Sequence, residues 1–393
     1  MSEKNFKNLV NSTPKTLKAT MSNQTHITLA KDLATQFHTR ANEADQKSKL
    51  PIEDIQALKS SGYLTLNIPK KYGGFDLSLR ECIEAQLELA QGSASTALVT
   101  AMQLQVFGAA RDCKTWTDEI YERFCTEAVN GALFNSVATE PQLGSPSRGA
   151  LFKSTAEKTD TGYCINGLKT WTTGGKHLTH MLVKAMYQDE PAVFLVEQNR
   201  PGIRWEETWK DALSFRASDS HDVYFENCNI PKENRVIPHP APPNIRSPWF
   251  PMMLASVYLG SAIAARNTVI QYALERVPTA LGKPIATLPK IRRQIGEIDM
   301  PLQAARIHLL DTADTWHGND AKIAAAKHFA ITVANDVTEK ALLIAGGTAL
   351  THKLPLERHF RDVRAGHMQP PSGDTALEII GINAINSIET KSE

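Results

Sequence analysis

The sequence predicts an α+β multidomain protein: an N-terminal helical domain, a central β-barrel or sandwich-like domain, and a C-terminal four-helix bundle. Three observations carry this. Apolar residues recur at helical spacing up to about Ala109. Between Gly131 and Pro231 short alternating or β-branched runs replace them. Long Ala/Leu/Ile-rich helical patterns then resume. The expected parts are a disordered leader over 1–25, a helical domain over 26–129, a β-domain over 130–234 and a bundle over 235–393.

Each element follows from its own pattern. Helices are expected over 29–44, 52–58, 82–89 and 97–109, with Pro69, Gly73 and Gly74 marking a loop among them. Strands are expected over 133–139, 151–156, 163–173, 181–186, 192–196 and 222–225. Asp160 to Gly162 and Asn166-Gly167 read as turns, the Asn-Gly pair being the stronger signal. After the stiff, proline-rich stretch from Ile237 to Pro243, helices are expected over 252–275, 291–316, 321–343 and 375–388.

The 393 residues carry 43 basic and 42 acidic side chains, a net charge of +1, so no global field draws the chain to nucleic acid or an anionic membrane. The longest mostly apolar run, from Met252 to Ala265, is too short to span a bilayer. Five dispersed cysteines without a C-x-x-C pair fit a reducing compartment, and the expected location is the cytoplasm. The polar, Lys-containing N-terminus lacks the apolar segment of a secretory signal. No G-x-G-x-x-G, P-loop or G-x-S-x-G motif is present. His177 and His180 have no third ligand nearby in sequence and read as loop histidines, so no metal is expected.

Two segments of the β-region are informative: VATEPQLGS over 137–145 and GYCINGLKTWTT over 162–173. Together they resemble the acyl-CoA dehydrogenase family, whose strands carry T-E-P-x-x-G-S and then G-Y-x-i-N-G-x-K-x-W-x-T. Tyr72-Gly-Gly74, Arg216-Ala-Ser218, Ile344-Ala-Gly-Gly347 and Arg358-His-Phe-Arg-Asp362 extend the likeness over nearly the whole chain. The resemblance implies that family's fold, an FAD cofactor, a homodimer or homotetramer, and α,β-dehydrogenation of an acyl thioester in fatty acid metabolism. An isoalloxazine is flat, largely apolar and edged with hydrogen-bonding atoms. By resemblance Trp171 covers one face, Thr173 meets N5, Thr139 the pyrimidine edge, and Ser145 the pyrophosphate or thioester tail. A tryptophan in a β-domain also serves as core, and threonines also follow strand propensity.

Arg276, Gly346 and Gly347 match residues with which a neighbouring subunit holds the adenosine half. An arginine can grip phosphate oxygens in bidentate fashion; Arg276 also reads as a solvated helix-end charge. Here the sequence departs from the family. The segment after Arg276 is longer and lacks a Phe, and Leu343 stands in place of a Gln. Sharper still, Pro370 falls where the family's catalytic Glu belongs, and Phe250 fills the alternative Glu position.

Asp374 is the candidate replacement base, with a helix N-cap as its other reading. Glu378 and His367 are further candidates, each also readable as a surface residue. Three functions are then open: a dehydrogenase with a relocated base, an electron-transfer protein being its partner; a monooxygenase of the same superfamily fed by a flavin reductase; and a scaffold that keeps the fold.

Overall fold

The structure is a computed structural model that describes residues 25–141 and 151–389. The expected leader, Thr25 apart, lies outside these residues, as does Ser145. Among the described residues five helices come first: α1 (His26–Lys47), α2 (Ile52–Ser61), α3 (Leu79–Gly92), α4 (Ala94–Asp112) and α5 (Asp118–Val129). A reciprocal capping box fixes the start of α3: Ser78 takes the Glu81 N–H and Glu81 takes the Ser78 N–H. The sequence pattern gives no warning of α5. It buries only Phe124, Cys125 and Ala128, too thin an apolar stripe to read.

Among the described residues eight strands form one sheet in the order β6-β7-β3-β2-β4-β5-β8, with β1 parallel to β4. They are β1 (Phe134–Val137), β2 (Thr155–Lys158), β3 (Gly162–Thr172), β4 (His180–Tyr187), β5 (Glu190–Glu197), β6 (Ile203–Glu206), β7 (His221–Pro231) and β8 (Arg235–Val236). The turn between β2 and β3 falls at 159–162, where Thr159 N–H bonds the Gly162 carbonyl at 2.9 Å. Asn166-Gly167, expected to turn the chain, instead lies inside β3 at a register irregularity. Its side chain explains why. Asn166 Oδ1 accepts the Asn227 N–H at 2.8 Å across the sheet, and Ser154 packs where a Gly167 Cβ would sit, 2.2 Å away.

The bundle holds α6 (Trp249–Glu275), α7 (Pro289–Thr315) and α8 (Asp320–Ala345), then short α9 (Leu356–Asp362) and closing α10 (Gly373–Glu389). α6 is the axis of the molecule, with Met252 to Ser256 and Val257 to Gly260 all buried. Its 27 residues are long and apolar enough to cross a membrane by length and composition, but the apolar window is 72% buried inside the fold. α6 meets the N-terminal helices through missing side chains. A Cβ on Gly108 would lie 2.0 Å from the Trp249 ring, and one on Gly260 would lie 2.7 Å from Ala90.

The Arg358-to-Asp362 run, a helix the sequence patterns do not announce, joins the three parts. Arg361 pairs with Asp45 of α1 at 2.6 Å, and its carbonyl accepts Ser214 Oγ at 2.5 Å. Asp362 accepts the Phe215 N–H at 2.8 Å. These bonds dock the 213–218 loop of the β-domain on the bundle, which brings the two faces of the site together.

Candidate functional site

On the sheet side the site grows from the end of β3. Pairing of β3 with β7 slips between Lys169 and Thr172, and Trp171 sits in that slip at φ +57°. A bulky residue in the left-handed region is uncommon and strained, and such strain concentrates at functional sites. Here it turns the indole outward, leaving Trp171 63% exposed. The exposure removes the reading of Trp171 as core.

Thr173 points inward: Thr173 Oγ1 lies 2.9 Å from Ser220 Oγ, which lies 2.7 Å from Ser218 Oγ. Phe215 (φ +50°) precedes these serines and Asp219 (φ +47°) lies between them, so with Trp171 three left-handed non-glycine residues gather around one hydroxyl string. Thr139 joins from the other side, its carbonyl accepting the Thr170 N–H at 2.9 Å.

Below this surface lies a buried ion pair. Lys169 Nζ and Glu140 Oε1 are 2.5 Å apart, and both side chains are almost wholly buried. Glu140 also accepts the N–H groups of Lys153 (2.6 Å) and Ser154 (3.1 Å). Burial works to raise the Glu140 pKa, but these hydrogen bonds outweigh it and hold the carboxyl below its usual range. Burial pushes Lys169 down to about 8 against the pull of Glu140. The pair ties the two recognised segments together and fixes Thr139 against β3.

Two polar atoms beside this surface, Asn135 Oδ1 and Thr172 Oγ1, are buried without a hydrogen-bond partner among the described residues. Asn135 spends its Nδ2 on the Thr173 carbonyl at 2.9 Å. An uncovered indole, a hydroxyl string and unpaired buried polar atoms suit a flat ring with a polar edge. The residues present fit a flavin.

On the bundle side Tyr258 of α6 packs its ring on Phe215, centroids 5.3 Å apart, and gives its hydroxyl to Gln369 Oε1 at 2.7 Å. Contact therefore runs from Thr173 through the 214–220 loop to the 363–371 segment. Pro370 and Pro371 follow Gln369 and offer neither an N–H nor a titratable side chain. Asp374 does not cap α10. The helix begins at Gly373, Ser372 precedes it with its carbonyl accepting the Ala376 N–H, and Asp374 sits exposed in the first turn. Glu378 is exposed one turn later. His367 is half-buried against His328, ring centroids 5.6 Å apart; burial first, then His328 and Lys327, depress its pKa.

Arg276, Gly346 and Gly347 gather elsewhere, at one end of the bundle. Arg276 closes α6 with its N–H on the Tyr272 carbonyl, and Tyr272 OH lies 3.1 Å from Thr348 Oγ1 just after the glycines. Gly346 takes φ +61°, and a Cβ on either glycine would meet nothing within 4 Å. Exposed Leu343 and Leu350 flank them, and a groove of about 430 Å³ runs past Tyr272, Glu275 and Leu354.

Some members of the site carry little sequence signal. Ser218 sits in a quoted motif without a role, and Ser220 and Asn135 outside one. Lys169, inside β3, and Glu140, three residues past the end of β1, were in plain view as charges in the two quoted segments. His177 turns toward Asp219 at 3.5 Å and His180 stacks on Phe134 at 4.6 Å; among the described residues no cluster of three or more ligand-type side chains could hold a metal.

Three family models match in order: the acyl-CoA dehydrogenase N-terminal domain over 24–131, middle domain over 136–228 and C-terminal domain over 252–369. A protein of Bacillus subtilis (strain 168), provisionally named an acyl-CoA dehydrogenase, is 34% identical over 368 residues, 90% of this chain and 95% of its own. The butyryl-CoA dehydrogenase of Megasphaera elsdenii superposes with a TM-score of 0.79 at 25% identity, covering 92% of this chain and 97% of that one. The dibenzothiophene monooxygenase of Paenibacillus sp. A11-2 superposes with a TM-score of 0.79 at 21% identity and the same coverage, a likeness of fold. The chain belongs to the acyl-CoA dehydrogenase family of flavin-dependent oxidoreductases.

Proposed function

We propose that the chain dehydrogenates an acyl thioester, most simply an acyl-CoA, at its α and β carbons. The single observation that carries this reading is the outward, strained indole of Trp171, two residues before Thr173 and its Ser220–Ser218 hydroxyl string. Trp171, Thr173, Thr139 and Ser145 would hold FAD, which supplies the acceptor for the hydride leaving the β-carbon. Asp374 takes the α-proton: among the candidate bases it alone stands in the first turn of α10, directly beyond the proline pair. Thr173 donates or accepts through its hydroxyl at the sheet edge, with Ser220 orienting it.

Arg276, Gly346 and Gly347 would reach the flavin of a second copy. Their distance in the fold from Thr173, the open space over the glycines and the exposed Leu343 and Leu350 support a homodimer or homotetramer. A role in fatty acid metabolism, an electron-transfer protein as acceptor, and a cytoplasmic location complete the reading. Five unpaired cysteines agree with the last.

A second reading is favoured by one observation: Pro370, at the position where the catalytic Glu is expected, has no side chain that can take a proton. A monooxygenase taking reduced flavin from a reductase needs no base there. One experiment separates the two. Purified protein loaded with FAD is mixed anaerobically with butyryl-CoA and octanoyl-CoA. Bleaching of the flavin bands supports dehydrogenation; no bleaching, with oxygen consumed only when FMNH₂ or FADH₂ is supplied, removes it.

A further inference from the structure

Lys327 of α8 is 1% exposed, and all three of its hydrogen bonds go to main-chain carbonyls of one segment. Its Nζ donates to Gly366 O at 2.9 Å, Gln369 O at 2.8 Å and Pro371 O at 2.8 Å. An ammonium has three protons, and here each has its own carbonyl. Helices bury lysines rarely, and seldom without a carboxylate partner. The same segment is also held by Tyr258 OH on Gln369 Oε1, and Tyr258 in turn packs on Phe215 of the 214–220 loop, whose Ser220 lies 2.9 Å from Thr173 Oγ1.

From this geometry we infer that Lys327 is a positioning residue: it staples residues 366–371 into one shape and so sets the bundle-side wall against which the substrate is held. The inference rests on the proposed site but not on which reaction runs there. The ammonium can do this because a point charge with rotating donors accommodates three carbonyls arriving from different directions, which a planar guanidinium cannot. Burial lowers its pKa to about 8, so it remains charged at neutral pH. Neighbouring Gly366 adds a second constraint, since a Cβ there would lie 2.6 Å from Ile331. The turn is therefore tied to α8 by charge and by close packing together.

The test compares the full-length, FAD-loaded protein with Lys327→Met and Lys327→Arg. Amide hydrogen exchange over 364–373 is read first, with α7 and β4 as internal references. Exchange in this segment should rise tenfold or more in Lys327→Met and several-fold in Lys327→Arg, with the references unchanged. Flavin reduction by butyryl-CoA should then show kcat lowered about tenfold in Lys327→Met at unchanged flavin occupancy, and KM nearly constant. Unaltered exchange over 364–373 overturns the inference. So does faster exchange with wild-type kcat, because Lys327 would then be structural only. Should Lys327→Met fail to fold, Lys327→Arg, which keeps the buried charge, decides on the same readings. If butyryl-CoA reduces neither wild type nor variant, the dehydrogenase reading falls while exchange alone still decides the staple.

Discussion

The two walls of the site are built by different means. The sheet wall is specified twice, by two sequence segments and by the buried Glu140–Lys169 pair that locks them together. Its strained Trp171 and its hydroxyl string are those a flavin platform asks for. The bundle wall keeps its architecture, with Tyr258 and Lys327 holding the 366–371 segment, but Pro370 and Pro371 stand where proton transfer is expected. A redox platform thus persists beside an altered acid–base wall. On the proposed reading, binding of the cofactor and handling of the proton are separable properties of this fold.

The comparison can be broken most forcefully at Asp374. Asp374→Asn should slow anaerobic flavin reduction by acyl-CoA by about 10²–10⁴-fold while FAD still binds. Unchanged stopped-flow traces would take Asp374 out of the chemistry.

Next in size is the sheet wall's own lock. Lys169→Met leaves Glu140 buried and unpaired, which should cost about 3–5 kcal/mol in urea unfolding. A variant as stable as wild type would show that the pair does not fix this wall.

At the junction between the walls, burial raises Asp362 to about 7, with Asp45 adding and Arg358 opposing. Between about pH 4 and pH 7 the folded chain keeps a proton that the unfolded chain has released, so this group costs stability as pH climbs. Wild type should therefore lose ground to Asp362→Asn over that window, by at most about 1.4 kcal/mol per pH unit. Parallel curves of stability against pH would contradict the shift.

The smallest effect is expected at the exposed indole. Trp171→Ala should weaken FAD binding about tenfold and leave the melting temperature of the flavin-free chain unchanged, since the side chain packs on little of the protein.

Much of this was legible in the sequence for a physical reason: long helices and buried strands write their periodicity into it. The helix expected over 252–275 appears as Trp249–Glu275, and the strand expected over 163–173 as Gly162–Thr172. What failed to show is equally instructive. α5 and α9 are short and bury few apolar side chains, so neighbours rather than periodicity define them. Asn166-Gly167 carries the composition of a turn, and only the cross-sheet bond to Asn227 makes it a bulge.

At the site, Thr139, Trp171 and Thr173 were visible by motif and do converge on one surface. Ser220 and Lys327 were not, because their roles come from bonds to residues distant in sequence. Arg276, Gly346 and Gly347 share one end of the bundle, and nothing in their spacing alone says which copy's cofactor they would serve.

The most direct test of the central claim, that a flavin lies against Trp171, is a titration of FAD into the purified flavin-free chain, followed by absorbance. The account predicts saturable binding of about one FAD per chain, weakened in Trp171→Ala. Failure of the wild-type chain to bind FAD, or equal affinity in Trp171→Ala, would contradict it.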